Sequence, residues 1–256
     1  MLDECSDPEI VGNLGASLYQ IKKTKLRVVD GFIIPAGQNI EYGLSNEILR
    51  AFDRLEAKSA VLRASYIDPK VFDSETIRGV KRDDLISTIS YVQQNAARRG
   101  DIAAVVVQKN LQAEFSGTIH SCNPVTQDQN EILIEANIWM NDTVLSGDMD
   151  SDMILINKST GAVAVESNEE SEICLTPEQI SRLHNLIRKV ESVFKKPVSA
   201  DWCFDNGRLY ILHVRPINNI THERYEIWVC IPLGCCFVVV TRCCWAWKNV
   251  ALAKGA

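Results

Sequence analysis

No segment of this 256-residue chain is apolar for long enough to cross a bilayer. The longest apolar run, residues 227–240, is about fourteen residues and carries Pro232 and Gly234; a spanning helix needs about twenty. An excess of basic charge is missing too. With 27 Lys and Arg against 33 Asp and Glu, the net charge is −6, so no general basic surface exists to hold nucleic acid by its phosphates. Internal repeats and low-complexity segments are absent. Hydrophobic residues at 46% and charged residues at 23% exclude disordered and collagen-like classes. The first ten residues are acidic and lack the apolar core of a secretory signal. Cysteines at metal-ligand spacing are lacking as well. Cys5, Cys122, Cys174 and Cys203 are scattered, and Cys230, Cys235, Cys236, Cys243 and Cys244 crowd near the end. An odd total of nine without a signal argues against a disulfide framework and for a reducing, cytoplasmic compartment.

What is present divides in two. Residues 226–256 hold three basic residues, one acidic residue and five of the cysteines, an apolar tail to which no motif assigns a role. Helical and strand periods alternate through the first 225 residues. Ser45 is expected to cap a helix that buries Ile48, Leu49, Phe52 and Leu55. A short strand is expected at 60–63, and a helix at 83–98 stopped by Gly100. Strands follow at 103–108, 117–121 and 131–136, with a hairpin of 153–157 and 162–166. Thr176, Pro177 and Gln179 spell a capping box, ahead of the stripe Ile180, Leu183, Ile187, Val190 and Phe194. After Pro197, two strands flank Asp205-Asn206-Gly207. Mixed helices and hairpins predict an α+β protein in two lobes.

Four places could carry chemistry. Arg63 ends an apolar strand, where a cation is costly unless an anion meets it; an ion pair or a bound phosphate would serve. His213 and Arg215 lie two apart on one strand and share a face, with Asp201 on the partner strand. Together they could coordinate a cation and a phosphate, or form a solvated face with incidental pairing. The strand ending at Gln108, followed by Lys109 and Leu111, reads by itself as a buried strand leaving the core. Residues 12–18, with Gly12 and Gly15, could cradle a phosphate at a helix start, although both the P-loop ending and the G-x-G-x-x-G spacing are missing.

In order, these segments resemble the ATP-binding N-terminal domain shared by phosphoenolpyruvate synthase, pyruvate phosphate dikinase and rifampicin phosphotransferase. The family's V-G-G-K-G-A-N-L is matched by VGNLGASL at 11–18, and V-P-x-G-F-x-I by VDGFII at 29–34. V-R-S-S becomes LRAS at 62–65, V-V-V-Q-x-M-V becomes VVVQKNL at 105–111, and S-G-V-x-F-T-x-N-P becomes SGTIHSCNP at 116–124. D-I-E-W and L-Q-x-R-P-I become SADW at 199–202 and LHVRPI at 212–217. The likeness covers roughly residues 10–220 and leaves the tail unmatched.

The resemblance implies an ATP-grasp-like α+β domain with mixed or antiparallel sheets, its lobes at 1–100 and 101–225. It implies a kinase-type phosphotransferase that uses ATP with Mg²⁺ or Mn²⁺. Arg63 and Arg215 become the catalytic phosphate binders; Gln108, Lys109 and Leu111 become the adenine hinge; Asp201 and His213 become the metal pair. The family's phosphate-binding Lys is Leu14 here, its glycine loop survives only as FDSE at 72–75, and its G-L-G-E motif is WMND at 139–142. His213 offers a nitrogen where the family has an amide oxygen, a change that suits Mn²⁺ better than Mg²⁺. The family's phosphohistidine and acceptor domains have no counterpart in these blocks. The implied phosphate acceptor is therefore a separate carrier or acceptor protein, and the alternative is a non-catalytic relative that keeps the fold to bind nucleotide or partner. A two-residue loop at Asn206-Gly207 would put Asp201 and His213 on opposite faces; a three-residue loop, pairing Phe204 with Arg208, would unite them. The twelve-residue separation, which equals the family's acid-to-Gln spacing, selects the three-residue loop.

Overall fold

The protein is described by a computed structural model covering residues 5–40, 42–68, 71, 75–138, 152–166 and 174–217. Residues 72–74 and 139–142, and the tail at 226–256, lie outside the described residues, and with them the G-L-G-E positions and all of the glycine-loop positions but Glu75.

Two antiparallel sheets make up the α+β architecture. The first has four strands in the order β1-β4-β2-β3: β1 (Gly31–Ile34), β2 (Ala60–Tyr66), β3 (Thr76–Val80) and β4 (Ala103–Lys109). Helix α2 (Tyr42–Arg54) and helix α3 (Leu85–Arg98) cover one face, burying Ile48, Phe52, Leu85, Ile89 and Val92 against Leu62, Ala64, Val105 and Val107. Helix α1 (Pro8–Lys23) covers the other face, packing Leu14 and Leu18 on Val106. With both faces covered, β2 is buried along its whole length and reads as an unbroken run rather than an alternation. Helix α2 begins at Tyr42, so Ser45 lies inside it instead of capping it.

The second sheet has six strands in the order β10-β9-β5-β6-β7-β8: β5 (Phe115–His120), β6 (Glu131–Ile138), β7 (Asp152–Asn157), β8 (Val163–Glu166), β9 (Val198–Asp205) and β10 (Arg208–Pro216). Helix α4 (Pro177–Phe194) packs on it through Ile180, Leu183, Ile187 and Val190, against Trp202, Phe204, Ile119 and Ile134. Its capping box forms as expected: Gln179 N donates to Thr176 Oγ1 at 3.3 Å, and Thr176 N donates to Gln179 Oε1 at 2.8 Å. The hairpin of β7 and β8 also forms as expected, with Met153 opposite Glu166.

β4 belongs to the first sheet, so the chain crosses between sheets after Lys109 and before Phe115, later than a division at 100/101. Helix α1 joins the two units, because Ile21 lies in the core under α4 while Leu18 packs on the first sheet. A parallel bridge between Val28 and Ile211 adds a second tie. Among the described residues no helix is long and apolar enough to cross a membrane.

Candidate functional site

The hairpin of β9 and β10 decides which side chains meet. Its turn is the two-residue one: Arg208 pairs with Asp205, and Asn206 and Gly207 have φ of 49° and 66°. Positive φ at both positions gives a type I′ turn, whose twist matches the strands. The three-residue loop is therefore corrected. That turn alone would aim His213 away from Asp201. A β-bulge between Ile211 and His213 intervenes: Ile211 faces Trp202, Leu212 is extra, and His213 faces Asp201. Asp201 therefore pairs directly with His213, and the two share one face of the sheet.

Around Asp201 three donors converge. Thr118, its partner on β5, donates Oγ1 to Asp201 Oδ1 at 3.1 Å. His213 Nδ1 and Arg215 Nη1 each lie 3.6 Å from Oδ2. Burial pushes this carboxyl up, but His213, Arg215 and Thr118 together outweigh it and hold it below the usual range. Asp201 is a carboxylate at neutral pH.

Arg63 reaches the same junction from β2 of the first sheet. It is 6% exposed, and its Nη1 donates to the Leu212 carbonyl at 2.7 Å, the group that the bulge turns toward it. Its Nε has no hydrogen-bond partner among the described residues. Burial lowers the guanidinium to about 10, partly offset by the charge of Asp201.

Beside Arg63 lies a cavity of about 20 Å³, lined by Gln108, Lys109, Leu111, Arg78 and Cys203 among others. That volume holds about one water. The three expected hinge residues therefore do sit together with Arg63, in a narrow cleft. Gln108 Nε2 turns inward to the Val29 carbonyl at 3.4 Å. A second cavity of about 590 Å³ is lined by Asn13, Leu14, Ser17, Lys196, His213 and others. Leu14 thus lies on the His213 side of the junction, but as a buried apolar side chain at 2% exposure.

Residues 12–18 are not a loop that cradles phosphate. They continue α1, whose only break is a kink at Gly12, with φ of 69°. A Cβ on Gly12 would collide with the Ser65 carbonyl, so glycine is required there by both space and conformation. Ser65 Oγ accepts from Gly15 N at 3.0 Å and donates to the Val11 carbonyl at 2.7 Å, so the Gly15 amide is already engaged.

The pair suits Mg²⁺ poorly, because His213 offers an imidazole nitrogen where that ion takes oxygen. Asp201 and His213 are two ligands, and among the described residues no group of three His, Cys, Asp or Glu could hold a metal. Asp201 Oδ1 accepts from Thr118, and Oδ2 lies 3.6 Å from both His213 Nδ1 and Arg215 Nη1. Sequence reasoning missed Thr118, the Leu212 carbonyl and Arg78. Thr118 follows Gly117 in the SGTIHSCNP stretch at 116–124, where strand alternation was the available signal.

A family model for the pyruvate phosphate dikinase AMP/ATP-binding domain matches residues 86–171 and 157–227. An uncharacterized phosphotransferase, YvkC, of Bacillus subtilis is 25% identical over 84% of this chain and 34% of its own length. Phosphoenolpyruvate synthase of Pyrococcus furiosus is 30% identical over 47% of this chain and 18% of its own. Among solved structures, a D-alanine–D-alanine ligase of Bacillus anthracis complexed with ATP is similar, with a TM-score of 0.48 and 14% identity, covering 80% of this chain and 54% of that one. The chain spans about a third or less of the length of these curated relatives. The family match takes in more than half of the chain, from α3 through the Asp201 hairpin, and the chain belongs to the pyruvate phosphate dikinase AMP/ATP-binding domain family.

Proposed function

We propose that this domain binds ATP in the cleft between its two sheets, as the ATP-grasp-like nucleotide part of a phosphotransferase of the phosphoenolpyruvate synthase type. The observation that carries the reading is that Arg63, from the first sheet and beside the Gln108–Lys109–Leu111 strand end, donates to Leu212 of the hairpin whose Arg215 and Asp201 pair. Phosphoryl transfer needs charge neutralisation and positioning more than covalent chemistry, and two guanidiniums on separate lobes supply both. Nucleotide entry requires this cleft to widen, since about 20 Å³ admits no adenine. The phosphate would pass to a separate phosphohistidine carrier or acceptor protein. Mg²⁺ or Mn²⁺, expected with ATP, is assigned no protein ligand here. The free thiols of Cys122 and Cys203 support a cytoplasmic setting.

Leu14 favours a second reading, binding without turnover. A buried leucine on the helix facing the junction cannot supply the cation that the resemblance implies there. Calorimetric titration of the full chain with ATP, with and without Mg²⁺ or Mn²⁺, tests the main reading; no heat at millimolar nucleotide would overturn it. Release of inorganic phosphate in the same samples separates turnover from binding.

A further inference from the structure

The mismatch at Asp201 has a chemical meaning. A divalent ion held there would have to share Asp201 with Thr118, which donates to Oδ1, and with His213 and Arg215, each 3.6 Å from Oδ2. It would sit against the Arg215 guanidinium, whose Nη1 is 3.6 Å from Oδ2, and close to Arg63, whose charge responds to Asp201. Mg²⁺ takes oxygen ligands in near-ideal octahedra and accepts imidazole poorly. His213 is 6% exposed and presents Nδ1 to the carboxylate, which leaves that nitrogen unsuited to a metal. Meanwhile the junction is rich in fixed cations. Arg63, Arg78 and Lys109 line one cavity, and Arg215 flanks the same carboxylate.

We infer that this domain binds ATP as the metal-free anion, its phosphates met by Arg63, Arg78, Lys109 and Arg215 instead of by a divalent ion on Asp201 and His213. The inference rests on the nucleotide site proposed above. In this arrangement Asp201 is a positioning residue. It holds Arg215 and His213 in place until phosphate oxygens, which are better bidentate partners for a guanidinium, compete for Arg215. A guanidinium fork keeps its charge at every physiological pH, so it can take over a role that elsewhere falls to a metal.

The test is titration of the full chain with ATP in EDTA and, separately, in Mg²⁺ or Mn²⁺. The dissociation constant in EDTA is expected to lie within about threefold of the value with metal. Binding that weakens by about tenfold or more in EDTA overturns the inference and leaves the nucleotide site standing. No binding in either condition overturns the nucleotide site and this inference with it. Asp201→Asn supplies an independent arm. A metal ligand lost would weaken ATP binding, whereas removing a competing negative charge is expected to tighten it several-fold. Weaker binding of a folded Asp201→Asn chain contradicts the inference; if that variant does not fold, the EDTA comparison decides.

Discussion

Replacing Arg63 with alanine separates binding from folding. Its hydrogen bond to the Leu212 carbonyl is 2.7 Å long, and a bond from a charged donor contributes about 1.5–3 kcal/mol. Burial works against it, lowering the guanidinium to about 10. The folded value lies below the unfolded one, so this cost stands in full at neutral pH and fades only as pH rises through the folded value. At about 1.4 kcal/mol per pH unit, the cost is about 3 kcal/mol. The two effects offset each other to within about 1.5 kcal/mol, so Arg63→Ala should move the melting temperature by no more than about 5 °C. ATP loses a charged partner with nothing to offset it, and its affinity should fall roughly ten- to 150-fold. Calorimetry reads the affinity and differential scanning fluorimetry reads the fold. Unchanged affinity together with a large drop in melting temperature would refute the reasoning and make Arg63 a structural tie between the sheets.

Further outcomes follow from particular contacts. Trp202, fully buried under α4, should cost about 3–5 kcal/mol when replaced by alanine, measured by urea unfolding. Thr176→Ala removes one half of the α4 capping box and should cost about 1 kcal/mol in the same assay. Gly207→Ala places a side chain at φ of 66° in the hairpin turn and should destabilise by about 1 kcal/mol. Burial pushes the Cys203 thiol up to about 12, so almost no thiolate exists at neutral pH; mass spectrometry after iodoacetamide treatment should find Cys203 unmodified in the folded chain and modified after unfolding.

Periodicity carried most of the second sheet. Strand patterning placed β5 through β10, and the Thr176 box fixed α4, because each signal is local. The site was harder. Asp201, His213 and Arg215 do meet, yet by a two-residue turn plus a bulge in place of a three-residue turn. Either device adds one residue to the count between Asp201 and His213, so spacing cannot tell them apart. Two adjacent apolar residues, Ile211 and Leu212, were the one local trace of the bulge. α1 escaped notice because Gly12 and Gly15 lower helix propensity, and the contact with Ser65 that rewards them lies fifty residues away in sequence. β3 escaped because it is an edge strand, mostly exposed, with Arg78 and Gly79 breaking its alternation.

The central claim is where ATP sits. Photolabelling the full chain with an azido-ATP probe, followed by mapping of the labelled peptides, tests it most directly. The account predicts label on the end of β4 and the segment after it, near Gln108, Lys109 and Leu111, suppressed by excess ATP and reduced in Arg63→Ala. Label that ATP suppresses only on α1, around Asn13 to Gln20 in the 590 Å³ cavity, or no specific label at all, would contradict it.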